Sequence, residues 1–196
     1  IATSTDANAM HFNASKLAFA ENDISISATY TPWLRALDLQ DVYLAYLSGY
    51  KQIDKISTVG LSLRYFSLGN IQFTDFNGMS LGSNRPNEFE IAGAYSRQLS
   101  ENFALGVSLK FIYSRLANGT YNGFDIRPGI AAGADISATY KSDKGIFGQE
   151  NNQLTVGGAI TNLGTKITYT TDAFGEFIPT NLGVGVAYEH AIDDYN

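Results

Sequence analysis

The segment from Asn102 to Tyr113 alternates, over most of its length, between large apolar side chains and small or polar ones. The apolar side chains occupy the odd-numbered positions: Phe103, Leu105, Val107, Leu109, Phe111 and Tyr113. Successive side chains of a β-strand point to opposite faces of the sheet, so this strand has one apolar face and one small or polar face. A soluble sheet buries its apolar face in a core, whereas a membrane barrel turns that face toward lipid.

The same period of two recurs along the chain after residue 21 and predicts about eight strands. Their predicted spans are 22–31, 41–50, 57–67, 87–97, 102–113 and 129–141, followed by strands that start near Leu154 and Leu182. The phase of the strand at 41–50 is ambiguous. We take Val42, Leu44 and Tyr46 as its apolar face.

The connections between the predicted strands alternate in length. Tight polar turns are predicted at 51–56 and 98–101, and a somewhat longer turn at 142–152. Long loops are predicted at the alternate positions: 32–40, 68–86, 114–128 and 171–179. An up-and-down barrel of an outer membrane sorts its connections in this way, whereas a sandwich with Greek-key crossovers does not. The sequence therefore predicts an all-β protein, with an antiparallel up-and-down transmembrane β-barrel over 22–196. A helical or irregular N-terminal segment over 1–21 precedes it.

Aromatic residues recur at the ends of the predicted strands. Tyrosines occupy the last apolar-face position of six strands, and Trp33 follows the first strand. Amphipathic rings favour the membrane–water boundary, although tyrosine is also common at strand edges in any β protein. The predicted membrane-interface residues are Tyr30, Trp33, Tyr65, Tyr95, Tyr113, Tyr140 and Tyr188.

Composition narrows the class of protein further. Only 16% of the residues are charged, against roughly 25% in an ordinary soluble domain. Apolar runs fall short of the roughly 18 residues that a spanning helix needs, which disfavours a helical membrane protein. The net charge of -6 and the pI near 4.8 disfavour a nucleic-acid partner, which requires clustered Lys and Arg. The absence of cysteine excludes disulfides and thiolate metal sites.

The sequence contains no recognisable catalytic or cofactor motif. His11 and His190 lie far apart without the spacing of metal ligands, and there is no nucleophile elbow, phosphate loop or zincin motif. Glu88 and Glu90 share one strand face, as catalytic carboxylates do, but charges balanced by cations inside the barrel explain them more simply. We therefore expect neither an enzyme nor a bound cofactor or metal.

One predicted hairpin places opposite charges side by side. With a turn centred near Ser100, Tyr95 lies opposite Leu105 and Glu90 lies opposite Lys110. Cross-strand neighbours of opposite charge stabilise a sheet. Glu90 and Lys110 are therefore predicted to form an ion pair on the interior face of the barrel.

The loop at 68–86 is the best candidate for a partner-binding surface. It carries apolar side chains among Asp, Asn and Gly: Ile71, Phe73, Phe76, Met79 and Leu81. Exposed apolar residues on a long loop often mark a partner surface. The alternative is a loop hairpin whose apolar side packs on itself or plugs the mouth of the barrel.

Segments spread over nearly the whole chain share a family resemblance. They are Ala28–Arg35, Leu44–Tyr50, Leu63–Gly69, Pro86–Phe89, Ala94–Ser100 and Asn162–Gly164. These segments resemble the PorV family of type IX secretion, part of the wider group of FadL-like outer-membrane barrels. Because a FadL-like barrel has roughly fourteen strands, the resemblance implies an incomplete barrel of about eight. The sequence departs from the family at Asn13-Ala14-Ser15, where Asn-Pro-Ala is usual.

The resemblance implies a function without catalysis. PorV-like proteins bind secreted cargo by its C-terminal signal domain at the translocon barrel. They carry it to the cell-surface attachment complex, where a sortase-like partner removes the signal. The implied location is the outer membrane of a Gram-negative bacterium. The implied partners are the translocon, the cargo signal domains, the sortase and the lipid or lipopolysaccharide bilayer. We expect the protein contacts in the loops at 68–86 and 114–128.

Two other functions stay open on the sequence alone. A FadL-type outer-membrane transporter of hydrophobic small molecules needs an apolar channel, whereas the interior faces here hold Gly, Ser, Thr and Arg64. A soluble lipocalin-like binder needs the Phe103–Tyr113 face to point inward.

Overall fold

The computed structural model describes residues 1–3, 5–117, 119–121, 124–142, 152–170 and 174–190. Its helices are short: α1 over Ala9–Phe12 and 3-10 helices over Ala14–Phe19 and Arg35–Leu37. The strands in chain order are β1 (Ile24–Pro32), β2 (Val42–Asp54), β3 (Ser57–Leu68), β4 (Ile71–Thr74), β5 (Ser80–Asn84), β6 (Asn87–Ser100), β7 (Phe103–Arg115), β8 (Gly119–Tyr121), β9 (Phe124–Ile126), β10 (Gly129–Ser142), β11 (Asn152–Gly164), β12 (Lys166–Ile167), β13 (Glu176–Phe177) and β14 (Asn181–His190). None of the helices in the described part of the chain is long and apolar enough to cross a membrane.

Within the described ranges, the eight long strands form one antiparallel sheet in the order β1-β2-β3-β6-β7-β10-β11-β14. The short strands form separate pairs within the long connections: β4–β5, β8–β9 and β12–β13. The long strands lie close to the spans expected from the sequence, and the sheet has the form of a half-barrel. The prediction of an all-β, antiparallel up-and-down barrel that is incomplete in this chain is confirmed.

The two faces of this sheet are the reverse of those of a soluble sheet. On β7, the apolar side chains of Leu109 and Val107 are 71% and 48% exposed. On the opposite face of the same strand, Ala104 and Ser108 are only 0% and 2% exposed. The same alternation of buried and exposed positions runs along β10. The apolar stripe of β7 therefore points away from the interior of the half-barrel.

The N-terminal segment fills the concave side of the sheet. Its 3-10 helix over Ala14–Phe19 packs against β3, β6, β7 and β10, and Leu17 is fully buried there. Gly106 on β7 allows this close approach, because a Cβ at that position would collide with the backbone of Ala14 and Ser15. The chain's own first residues thus occupy the interior of the half-barrel.

A buried hydrogen-bond network joins the N-terminal segment to β10. Asn13 Nδ2 donates to Thr139 Oγ1 at 2.9 Å, and the backbone N of Ser15 donates to Ser137 Oγ at 3.0 Å. The hydroxyls of Ser15 and Thr139 share a further hydrogen bond of 2.7 Å. These four side chains are at most 4% exposed. Because each of these buried polar groups has a hydrogen-bond partner, their burial costs little free energy of folding.

The predicted phase of β2 is wrong. Val42, Leu44 and Tyr46, predicted as the outward apolar face, lie on the concave side. Val42 is 8% exposed, and the ring of Tyr46 lies 5.5 Å from that of His11 in the N-terminal segment. Leu47, whose side chain points to the opposite face of β2, is 48% exposed. Both faces of β2 carry large side chains because one meets the N-terminal segment and the other points outward, so alternation alone does not distinguish them.

The predicted register of the β6–β7 hairpin is wrong by two residues. The turn falls at 101–102 and a β-bulge precedes Ser100, so Glu90 lies opposite Ile112 instead of Lys110. A shift of two residues keeps every side chain on its face but changes its partner. Glu90 and Lys110 therefore share the concave face without lying opposite each other.

Candidate functional site

The long connections emerge at one end of the sheet. They follow β1, β3, β7 and β11, because these antiparallel strands all run in the same direction. The other end carries the tight turns at 55–56 and 101–102. The predicted turn at 142–152 lies, apart from its ends, outside the described residues. Loop side chains therefore collect at the end of the sheet opposite the tight turns.

The connection between β3 and β6 is a hairpin of two short strands, β4 and β5. Its base is tied to both neighbouring loops. The backbone N of Asn70 donates to the Asp41 carboxylate at 2.7 Å, and Asn84 Nδ2 donates to the Leu116 carbonyl at 2.7 Å. Asp41 precedes β2 and Leu116 follows β7, so the hairpin is held on two sides.

The tip of the β4–β5 hairpin is a hydrogen-bonded turn around Asp75. The Asp75 carboxylate accepts hydrogen bonds from the backbone N of Asn77 at 2.9 Å and of Met79 at 2.8 Å. Gly78 adopts a φ of 81°, a left-handed conformation that favours glycine. This turn leaves the ring of Phe76 97% exposed. A large aromatic side chain is thus presented on an ordered backbone.

The predicted partner residues of this hairpin are exposed wherever the structure describes them. Ile71 and Phe73 are about half exposed, and Phe76 and Met79 are 97% and 69% exposed. The side chain of Leu81 lies outside the described residues. The described apolar side chains are therefore not buried against the hairpin itself or inside the half-barrel. Their role in partner binding stays a prediction.

The loop after β7, the other predicted contact region, contains the β8–β9 hairpin. Residues 118 and 122–123 lie outside the described part of the chain, as do the side chains at 120, 121 and 124. Ile126 at the end of this loop forms a β-bridge with Thr170 of the β11–β14 loop. Two of the long loops therefore touch each other.

The loop between β11 and β14 displays aromatic residues that the sequence reasoning missed. Phe174 is 94% exposed, and Phe177 is 66% exposed with the Lys166 ammonium 5.0 Å from its ring centre. The available signal was the same as in the β4–β5 hairpin, namely phenylalanines among glycine and acidic residues in a long predicted loop. Ile178 points the other way and is buried beside Gly133 on the concave face. Ile178 thus anchors this loop on the concave face, while the rings of Phe174 and Phe177 are exposed.

Ion pairs line the concave face of the strands below these loops. Arg64 Nη2 lies 2.8 Å from Glu90 Oε2, and Lys110 Nζ lies 2.7 Å from Asp135 Oδ2. Lys110 also donates to Asn162 Oδ1 at 3.1 Å. The predicted Glu90–Lys110 pair is therefore wrong, because the shifted register places Ala92 opposite Lys110. Glu90 pairs instead with a cation on β3, and Lys110 pairs with a carboxylate on β10.

Glu88 belongs to a separate hydrogen-bonded group nearer the loops. Ser114 Oγ donates to Glu88 Oε1 at 2.6 Å, and Tyr169 OH donates to Ser114 Oγ at 3.0 Å. Glu88 and Glu90 thus have different partners instead of acting on one shared site. Among the described residues, no cluster of His, Asp and Glu side chains is arranged to hold a metal ion.

Two titratable side chains of the N-terminal segment face the interior of the half-barrel. Burial lowers the pKa of the His11 imidazole beside Tyr46, and the cations Arg64 and Lys110 add to this effect. Nearby carboxylates oppose the lowering only in part. Burial also lowers the pKa of the Lys16 ammonium, which donates to a backbone carbonyl of the same segment at 2.7 Å. The docked segment therefore disfavours charge at both positions.

The tyrosines predicted at the membrane interface lie on the convex face, divided between the two ends of the strands. Tyr30, Tyr65 and Tyr113 lie at the loop end, and Tyr95, Tyr140 and Tyr188 lie at the turn end. Tyr43, missed because the β2 phase was wrong, joins the loop-end row with its ring 5.2 Å from that of Tyr30. Along β10, the outward residues from Ile130 to Tyr140 span about 25 Å of height at the strand tilt of a membrane barrel.

Trp33 differs from these tyrosines. Its ring lies 5.7 Å from that of Phe66, which shares the concave face with Arg64. Together with Leu44 and Glu88, these residues line a pocket of about 280 Å³ at the loop end of the interior. The structure thus places Trp33 at this pocket on the concave side, whereas the tyrosines lie on the convex face, and its position at a membrane interface stays a prediction.

A family model matches the chain over its whole length. The family is the type IX secretion system protein PorV, and the match covers residues 1–196. A comparison with curated proteins found no match. The family match therefore includes the N-terminal segment as well as the sheet.

Proposed function

The chain belongs to the PorV family of type IX secretion system proteins, and we propose that it spans the outer membrane as a β-barrel that shuttles secreted cargo. The family and the half-barrel sheet both fit an outer-membrane component of this system. In this proposal the convex face lies in the bilayer, with a tyrosine row at each membrane–water boundary. The short turns face the periplasm and the long loops face the cell exterior.

The proposed role is non-enzymatic. The long loops receive the C-terminal signal domain of the cargo at the translocon barrel, and the protein then carries the cargo to the attachment complex and its sortase. The observation that supports this role best is the β4–β5 hairpin, which presents Phe76 97% exposed on a turn ordered by Asp75. Aromatic side chains often dominate binding energy, and a contact ordered before binding loses less conformational entropy.

A capture assay with the full chain in detergent tests this role. The double variant Phe73→Ser/Phe76→Ser is compared with Leu37→Ser, which removes a 69% exposed apolar side chain from a different loop. We expect the double variant to bind a purified C-terminal signal domain at least about tenfold more weakly, as expected for the loss of an anchoring aromatic. The Leu37→Ser control should bind like the unmodified protein. Equal capture by both variants would remove the hairpin from the proposal.

A FadL-type transporter makes a different prediction for the same preparation. It would be purified without translocon or cargo and with fatty acid bound in an apolar channel. The concave face instead carries the ion pairs Arg64–Glu90 and Lys110–Asp135, which favours the shuttle over the transporter. Recovery of the protein alone with bound fatty acid would overturn the proposed shuttle.

A further inference from the structure

An apolar groove of about 600 Å³ crosses the turn-end half of β1, β2 and β3 on the convex face. Large apolar side chains form its walls: Ile24, Ile26, Leu47, Leu61 and Leu63. Gly49 lies between Ile26 on β1 and Leu61 on β3 in the outward row of the sheet. Because Gly49 has no side chain, the row is interrupted there and the groove opens.

The chain itself leaves the walls of this groove uncovered. Ile26 is 73% exposed and Leu61 is 64% exposed. Gly93, the next outward glycine of the same row, has nothing within 4 Å of the position of a Cβ, whereas a Cβ at Gly49 would lie 3.2 Å from the Ser25 carbonyl oxygen and 3.4 Å from Ile26 Cγ1 of β1. Gly49 therefore lies in a recess with a wall beside it, and Gly93 lies on open surface.

Lys51 lies at the turn end of the groove. It is exposed on the outward face of β2, opposite Ile24 on β1 and Val59 on β3. It forms no salt bridge with another described residue. A lysine on a lipid-facing surface packs its apolar stem along the protein and extends its ammonium to the height of the lipid phosphates.

We infer that the groove holds an acyl chain of one phospholipid whose phosphate pairs with Lys51. The inference rests on the proposed placement of the convex face in the outer membrane. The groove lies at the turn end of the strands, which faces the periplasm in outer-membrane barrels and so meets the phospholipid leaflet. The apolar walls accept the chain, and the ammonium complements the anionic headgroup. The recognised chemistry is thus a phosphate joined to a long acyl chain.

Lipid titration of the delipidated full chain in detergent tests this site. The probes are phosphatidylglycerol and a diacylglycerol with the same chains, and native mass spectrometry counts the retained lipid. We expect the unmodified protein to retain one phosphatidylglycerol and to bind the diacylglycerol, which lacks the phosphate, at least about tenfold more weakly. Lys51→Gln should reduce phosphatidylglycerol binding to the diacylglycerol level. Gly49→Val, which fills the recess, should reduce the binding of both lipids.

Matched controls separate this site from general properties of the apolar belt. Lys55→Gln removes a cation from the adjoining turn, and Gly93→Val adds the same side chain to open surface in the same row. Both controls should bind lipid like the unmodified protein, with folding checked by heat-dependent migration in gels. Equal lipid binding by all four variants, or equal binding of the two lipids, would overturn the site. A protein that stays folded and soluble without detergent would instead overturn the membrane placement itself.

Discussion

The convex face of the sheet exposes large apolar side chains, whereas the concave face buries small and polar ones. On the convex face Leu109 and Leu61 are 71% and 64% exposed, whereas on the concave face Ser137 and Thr139 are 4% and 2% exposed. Burial therefore follows the position of the N-terminal segment and not the hydrophobicity of the strand residues. Hydrogen bonds, close backbone contact and a small apolar cluster around Leu17 hold the interior together. The exposed apolar side chains agree with the proposed placement of the convex face in the outer membrane, because lipid tails are themselves apolar.

The contrast between the two faces predicts the largest loss of stability for a charge at Leu109, in the middle of the outward stripe of β7. We expect Leu109→Arg to lower the free energy of unfolding in lipid bilayers by about 2–4 kcal/mol, because the substitution places a cation near the bilayer midplane. In water, a surface substitution of this kind changes stability by only about 0.5 kcal/mol. Denaturant unfolding in vesicles, followed by the fluorescence of Trp33, measures the difference.

Leu39→Arg in the β1–β2 loop is the matched control for Leu109→Arg. Leu39 is also exposed but lies outside the strands, so its replacement should have little effect on the free energy of unfolding. If both variants lose equally little stability, the convex face does not lie in lipid and the contrast between the two faces has another cause.

Gly106 tests the concave side of the comparison. A side chain at Gly106 would collide with the backbone of Ala14 and Ser15, so Gly106→Val should displace the N-terminal segment. We expect a loss of about 1–3 kcal/mol in the free energy of unfolding, as overpacking of a filled interior produces. Residues 1–21 should also become accessible to protease. Limited proteolysis in detergent, read by mass spectrometry, measures this accessibility.

Gly93→Val makes the same chemical change on the convex face of the neighbouring strand β6. Nothing lies within 4 Å of a Cβ at Gly93, so this variant should keep residues 1–21 protected and change stability by less than about 0.5 kcal/mol. Equal protease sensitivity of the two glycine variants would contradict the role of Gly106 as the contact site of the N-terminal segment.

The strands were predictable because alternation is a local property of the chain. It failed at β2, where Tyr46 contacts His11 on one face and Leu47 is exposed on the other, so both faces look apolar. The alternation predicts which face of the sheet a charged residue lies on better than it predicts its ion-pair partner. A β-bulge before Ser100 changed the neighbour of Glu90 without changing the side of the sheet it points to.

The residues of the candidate site likewise differ in how far the sequence predicts their position. The sequence places Phe76 in a long polar loop but leaves open whether its ring packs against the hairpin, and the structure shows the ring 97% exposed. The position of the N-terminal segment depends on contacts between residues far apart in the sequence, such as those of Asn13 and Ser15 with Thr139. Asn13 and Ser15 resemble ordinary solvent-facing residues until the sheet folds around them. No local pattern indicates that they are buried.

His11 gives the smallest expected effect and tests how the concave side tolerates charge. Burial, with Arg64 and Lys110 nearby, lowers the pKa of His11 in the docked segment. A detached segment has the ordinary histidine pKa of about 6.5, so the detached state binds more protons. The docking of residues 1–21 should therefore be strongest above this ordinary pKa and weaken as the pH falls below it toward the lowered value.

Protease protection of residues 1–21, compared between about pH 7.5 and pH 5, measures this dependence. His11→Phe keeps an aromatic ring beside Tyr46 without a titrating group, so its protection should not change with pH. His190→Gln, at the end of β14, should keep the pH dependence of the unmodified protein. If His11→Phe and the unmodified protein lose protection equally at low pH, another group carries the dependence. In that case protonation of His11 does not weaken the docking of residues 1–21, and the concave side tolerates a charge at this position.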